Sequence, residues 1–153
     1  NCQFVLVGDI DPLNPASLER STLEKWQEAK EIEWLGWIDD VEKVLLETDI
    51  LCLPSYREGL PKSLVEGAAA GLPLVATDTV GCREVVIDGQ NGFLVPIKDP
   101  VSLAAAIQKL ILNSSLRKFM GIESFKLATS KFSSSKINAL TLKVYNELCL
   151  KNS

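Results

Sequence analysis

The sequence predicts an α/β fold: a parallel sheet with helices on both faces. Two observations carry this. Short apolar runs alternate along the chain with segments of helical spacing, the pattern of βα units. The runs are also continuous rather than alternating, as in "FVLV", "ILCLP" and "PLVAT", which marks strands with no wet face. No internal repeat or low-complexity stretch interrupts them, and 153 residues suit a single domain over 1–153.

The elements follow in order. "CQFVLVGD" (Cys2–Asp9) is an apolar run closed by Gly8 and Asp9, a buried-strand signal. "DPLNPAS" is a loop, and Ser17, Leu18, Leu23 and Trp26 place an amphipathic helix over about 15–30. "IEWLG" is a short strand, and "DDVEKVLLETD" a helix with Asp39 or Asp40 as its N-cap. "ILCLPS" is a strand that reads Cys52 as a small core residue. Pro61 suits the first turn of the next helix, where its missing N–H is no loss, and Gly71 caps the end of that helix. "PLVATD" is a strand, "GCREVV" a short helical turn and "NGFLVP" a last strand, reached through the turn residues Asp88-Gly89 and Asn91-Gly92. From Pro100 the chain is helical, over about 100–112, 115–129 and 134–150, with a break near Phe132-Ser133.

Composition excludes several classes. A net charge of −4 and a pI near 4.9 argue against a nucleic-acid surface, and no Lys/Arg run exceeds two residues. No apolar run approaches the ~18 residues of a membrane span. The four cysteines lie far apart without C-x-x-C spacing, and there is no histidine, so a structural zinc site is not expected. Free thiols suit a reducing cytoplasm. The chain opens Asn1-Cys2-Gln3 without an initiator Met or leader and enters a strand at once, as a piece cut from a longer protein does.

The stretch "SYREGLPKSLVEGAAAGLPLVATD" (Ser55–Asp78) poses the chemical question. Glu58 and Glu66 flank a Gly-Leu-Pro turn and a helix start. Parallel sheets bind ligands at the carboxyl ends of their strands, and Ser55–Leu60 is such an end. The amides of Lys62, Ser63 and Leu64 open the helix, and with its dipole they form an anion site suited to phosphate. Gly59 lets a ligand approach the backbone. An ionised carboxylate only accepts hydrogen bonds and repels phosphate, so each glutamate suits hydroxyl groups instead. Glu66 lies about 7 Å along the helix axis from its start, on the other side of the anion site from Glu58. A ligand with hydroxyls at both ends and phosphates between them fits: a nucleotide sugar. The plainer alternative is that a Glu near a helix N-terminus gains about 0.3–1 kcal/mol from the dipole alone.

The same stretch resembles the signature of the retaining GT-B glycosyltransferases of family four, the glycosyl transferases group 1 domain. The resemblance rests on Glu-x7-Glu (Glu58, Glu66), the small-residue helix "EGAAAG", then "LPLVATD" and "GCREVVIDGQNGFLV", and it extends from "FVLVGD" to the terminal helices. "SYREGLPKSLVE" resembles the branch that builds bacterial capsule, O-antigen and exopolysaccharide. It implies a Rossmann-like parallel sheet, the C-terminal half of a GT-B fold lacking its first strand and helix. It makes Glu58 the residue that holds donor-sugar hydroxyls in catalysis and Glu66 the one that holds the ribose. The backbone around Gly59, Leu60, Lys62, Ser63 and Leu64 meets the sugar and pyrophosphate. The turn "GWID", at Trp37 and Ile38, reads the base. Arg83 and Glu84 fall in a loop that the family places near the site, with a capping or surface pair as the alternative. Arg57 and Lys62 are phosphate contacts or solvated surface charges, and Trp26, Trp34 and Trp37 are core or rim packing.

The chain departs from the family pattern in lacking the early Gly-Arg and the downstream Lys that neutralise pyrophosphate, and the amino-terminal acceptor domain. The family's missing strand belongs between Cys2–Gly8 and Ile50–Pro54. That leaves direct pairing of these two strands, oligomerisation or loose folding open. The resemblance implies a donor-binding domain of an enzyme that moves a sugar from a nucleotide diphosphate to a glycan or lipid-linked acceptor. Its partners are the nucleotide sugar and the acceptor domain. It needs no cofactor and no protein-held metal, works in the cytoplasm, and meets a membrane only peripherally through the longer protein. The alternative is a nucleotide-sugar-binding module without chemistry. An epimerase would need further acid/base groups, and "VGDIDP" is not the G-x-G-x-x-G of a nicotinamide dehydrogenase.

Overall fold

The computed structural model describes residues 2–13 and 17–151, and the strands and helices alternate through them. The order is β1 (Val5–Val7), α1 (Arg20–Glu28), β2 (Glu33–Gly36), α2 (Val41–Leu46), β3 (Leu51–Leu53), α3 (Lys62–Ala69), β4 (Leu74–Thr77), α4 (Val80–Arg83), β5 (Gly92–Val95), α5 (Pro100–Leu112), α6 (Ser114–Lys131) and α7 (Ser134–Lys151). All strand pairing is parallel, in two ladders: β1-β2 and β3-β4-β5. These fall in two compact units, spanning 1–41 and 42–153. β1 pairs with β2 in the smaller unit, and β3 with β4 in the larger.

In the smaller unit, Gly8 donates to the Gly36 carbonyl at 2.8 Å and Glu33 to that of Phe4 at 2.8 Å, extending the ladder past β1. Leu23 of α1 is buried. Trp34 is half-buried, donates its indole N–H to the Gly8 carbonyl at 2.8 Å, and lies under the Arg20 guanidinium at 5.0 Å. Two expectations need correction here. β1 is not buried: Val5, Leu6 and Val7 are 44%, 38% and 38% exposed, because the strand has a single ladder partner. The helix begins at Arg20 rather than near Pro15. Ser17 stays outside it because its hydroxyl accepts the Asp11 amide at 3.0 Å and so holds the loop; Asn14–Ala16 lie outside the described residues.

In the larger unit all four residues of β4 are buried. Successive side chains alternate across a strand, so β4 serves two cores. Leu74 and Ala76 join Leu64 and Ala68 of α3, Val85, Val86 and Ala128 on one side. Val75 joins Leu110 of α5 and Met120 of α6 on the other, with Cys52 against it. This is the sheet covered on both faces that the continuous apolar runs predicted. α3 buries Leu64, Gly67 and Ala68, an i, i+3, i+4 stripe. A side chain at Gly67 would overlap Leu51, so the small residues of "EGAAAG" let the helix lie close on β3.

α3 ends as a Schellman motif: Leu72 donates to the Gly67 carbonyl at 3.0 Å, Gly71 to that of Ala68 at 3.0 Å, and Gly71 has φ +75°. α6 reaches from one core to the other, with Met120 in the first turns and Ala128 in the last, and passes the Gly71 carbonyl at Gly121, where a Cβ would overlap that oxygen.

The link from α4 to β5 is pinned by Asn91, 1% exposed. Its Oδ1 accepts the Ile87 amide at 2.7 Å and its Nδ2 donates to the Val85 carbonyl at 2.9 Å. Ser124 of α6, also buried, donates to the Asn91 carbonyl at 3.1 Å. Removing the amide leaves the buried Val85 C=O and the part-buried Ile87 N–H without partners, about 1–3 kcal/mol for the first and less for the second. Asn91→Ala is therefore expected to lower unfolding free energy by about 2–4 kcal/mol in urea titration. Gln90→Ala, next to it on the surface, is expected to stay within about 0.5 kcal/mol. Equal effects would contradict the pinning role.

Candidate functional site

The carboxyl ends of β3 and β4 open into one cleft of about 530 Å³, lined by Tyr56, Arg57, Glu58, Gly59, Asp78, Thr79, Val80, Arg83 and Ile97. Parallel pairing brings these ends together. Leu53 is in register with Ala76, so the loop after each strand leaves on the same edge. Thr77 donates its hydroxyl to the Ser55 carbonyl and ties the two loops at their roots.

Of the residues expected from sequence, Glu58 and Gly59 line this cleft. Glu58 is half-buried, and Gly59 is exposed with open space where a side chain would stand. Leu60 is 52% exposed beside them. Lys62 and Ser63 open α3, and among the described residues neither amide donates to a protein acceptor. Leu64 requires a correction: its amide donates to the Pro61 carbonyl at 3.1 Å and its side chain is fully buried, so it offers no free donor. The cause is Pro61, which sits at the N-cap (φ −71°, ψ 110°) and turns its carbonyl into the first helical turn. Glu66 is partly exposed on α3, where its Oε1 lies 3.1 Å from the Lys62 ammonium.

Trp37 and Ile38 belong to the smaller unit, just beyond β2 and after Gly36 at φ +64°. The Trp37 ring is 76% exposed and donates its indole N–H to Asp39 at 3.0 Å, so it is not a packing residue of the core. Arg83 and Glu84 point to different partners. Glu84 pairs with Lys131 of α6 at 2.7 Å, and that hydrogen bond holds its carboxyl below the usual range. Arg83 lines the cleft and grips Asp78 side-on, Nε to Oδ1 at 2.5 Å and Nη2 to Oδ2 at 3.0 Å. Those bonds hold the Asp78 carboxyl below its usual range.

Tyr56, Asp78, Thr79, Val80 and Ile97 are cleft residues that the sequence reading did not single out. Asp78 had a signal: it follows "LVAT" directly, at the carboxyl end of a predicted parallel strand. Cys52 and Cys82 are not reactive groups here. Burial pushes the Cys52 thiol up to about 11, and burial and then the charges of Glu58 and Asp78 raise that of Cys82. Both stay protonated at neutral pH.

The model of the family described as glycosyl transferases group 1 matches residues 1–113. The chain belongs to this family. It is 40% identical over 119 residues to an uncharacterised glycosyltransferase of Methanocaldococcus jannaschii, covering 76% of this chain and 34% of that protein. It is 35% identical over 116 residues to the N,N'-diacetylbacillosaminyl-diphospho-undecaprenol alpha-1,3-N-acetylgalactosaminyltransferase of Campylobacter jejuni, covering 74% of this chain and 29% of that one. The fold is that of the Anabaena protein HepE, solved in complex with UDP, with a TM-score of 0.85 at 22% identity over 95% of this chain and 41% of that chain. The architecture is thus the Rossmann-like half of a GT-B fold, and the chain spans about a third of the length of these curated relatives.

One contact sets where Glu58 stands. Gly81 of α4 abuts the backbone of Glu58 and Gly59, and a Cβ there would overlap both of their carbonyl oxygens. Gly81→Ala must push that loop away, with an overpacking cost of about 1–3 kcal/mol. The expected outcome is a stability loss of that size in urea unfolding, with amide shifts in NMR spectra concentrated at Tyr56–Leu60. A variant as stable as the parent, with unshifted loop amides, would contradict the contact.

Proposed function

We propose that this chain is the donor-binding domain of a glycosyltransferase that moves a sugar from a nucleotide diphosphate to a glycan or lipid-linked acceptor in surface polysaccharide synthesis. The observation that carries the reading is the arrangement at the end of β3: Glu58 in a cleft, followed by two unpartnered amides at the start of α3. Family membership and the UDP complex of the Anabaena relative in fold support it. The capsule-synthesis relative of Staphylococcus aureus, 26% identical over 146 residues, supports the pathway class.

In this reading the diphosphate sits at the amides of Lys62 and Ser63, where donor groups and the helix dipole favour negative charge. They stabilise the leaving diphosphate as the bond to the sugar breaks, without reorganising at that moment. Glu66 accepts the ribose hydroxyls. It exchanges its exposed Lys62 partner, an i, i+4 pair worth only about 0.3–0.5 kcal/mol, for them. Glu58 accepts hydroxyls of the transferred sugar and orients its reacting carbon. The anomeric configuration is retained, and no cofactor or protein-held metal takes part. Without the acceptor domain and the Gly-Arg and Lys that neutralise pyrophosphate, these 153 residues alone are expected to transfer no sugar.

The two glutamates are expected to separate in the full-length protein. Glu66→Gln is expected to weaken binding of the bare nucleoside diphosphate about ten- to a hundredfold, the loss of one charge-assisted hydrogen bond. Glu58→Ala is expected to leave that binding within twofold and to lower turnover. Calorimetry and steady-state kinetics on both variants decide it. Loss of bare-nucleotide binding in a folded Glu58→Ala protein, or unchanged turnover, contradicts the assignment. Nucleotide-sugar binding with no transfer to any acceptor favours a binding module instead.

A further inference from the structure

The Asp78–Arg83 pair has no evident structural task. Its side chains are 42% and 59% exposed, and a pair that open adds little to stability. It caps no helix: the N-cap of α4 is Thr79, and no side chain caps it. Yet both partners are held rigidly. The Asp78 amide donates to the Val95 carbonyl of β5 at 2.7 Å, and the Arg83 amide to the Thr79 carbonyl at 3.1 Å. The turn between them is wedged against Glu58 and Gly59 through Gly81. The two bonds of the side-on pair fix both planar groups relative to each other. The result is a fixed polar wall in the same cleft as Glu58.

The chemistry of that wall selects a ligand class. Two of the five N–H groups of Arg83 are engaged with Asp78, and each Asp78 oxygen keeps accepting capacity. The wall therefore offers donors and acceptors side by side, which matches neighbouring hydroxyls, each able to donate and to accept. Its net charge is zero, since Arg83 neutralises Asp78. The four charged groups of the cleft, Arg57, Glu58, Asp78 and Arg83, sum to zero, so a ring carboxylate would meet no net positive charge there. Val80 and Ile97, 77% and 49% exposed, give the cleft apolar surface for the C–H face of a sugar ring.

Resting on the donor-binding reading above, we propose that Asp78 and Arg83 are specificity-determining residues that read hydroxyls of the transferred sugar, and that the sugar is a neutral hexose or N-acetylhexosamine rather than a uronate. Asp78 accepts from one hydroxyl and Arg83 donates to its neighbour, while Glu58 holds another part of the ring.

The test is calorimetric titration of the full-length protein with matched probes: UDP, UDP-glucose, UDP-N-acetylglucosamine and UDP-glucuronic acid, and GDP with GDP-mannose. The tightest neutral nucleotide sugar and its bare nucleotide are then titrated into Asp78→Asn and Arg83→Gln. The expected result is at least about tenfold weaker binding of the nucleotide sugar, the loss of a charge-assisted hydrogen bond. Binding of the bare nucleotide stays within twofold and the melting temperature is unchanged. UDP-glucuronic acid is expected to bind more weakly than UDP-glucose. Equal effects on sugar and bare nucleotide, no effect on either, or preference for the uronate overturns the inference while leaving donor binding in place. A wild-type protein that binds none of the probes overturns the donor-binding reading itself, and this inference with it.

Discussion

The larger unit depends on β4 being dry on both faces. Four residues, Leu74 to Thr77, have no accessible side that water could serve, so one face must be closed by α3 and the far end of α6, the other by α5 and the near end of α6. That fixes where the helices lie. It also requires α6 to pass from one core to the other, which it does at the contact of Gly121 with Gly71, where neither residue has a side chain to obstruct it. The same Gly71 terminates α3 in a left-handed turn, so one residue both ends the helix and admits the crossing.

The cleft inherits its precision from this core. Glu58 is on a loop, and loops are ordinarily the mobile part of a fold. Here the loop is fixed at both ends: Thr77 bonds the Ser55 carbonyl at its root, and Gly81 packs on the Glu58 and Gly59 backbone. Asp78 and Thr79 follow β4 with no intervening residue, so their positions are those of the buried strand. The charged groups of the cleft are thus carried on rigid supports, while their side chains remain open to a ligand.

Much of this was legible in the sequence where the cause is local. A continuous apolar run such as "PLVAT" signals a strand with two covered faces, and Gly71 after a helix of small residues signals its cap. The Glu58 and Gly59 placement followed from a strand-loop-helix order. Other features have non-local causes. The exposure of β1 reflects which strands pair with it, and the run "FVLV" carries no record of that. Glu84 finds Lys131 forty-seven positions away, while its neighbour Arg83 turns to the cleft; nothing in "GCREVV" separates the two. The Leu64 amide is closed by the backbone torsions of Pro61, which a composition rule for helix starts does not specify.

The central claim is that the start of α3 receives the diphosphate and the β3–β4 cleft receives the sugar. A crystal structure of the protein with a bound nucleotide sugar tests it most directly. The account expects diphosphate oxygens within hydrogen-bond distance of the Lys62 and Ser63 amides, and sugar hydroxyls on the Glu58 carboxylate. A nucleotide sugar bound elsewhere, or bound here with its diphosphate away from those two amides, would contradict it.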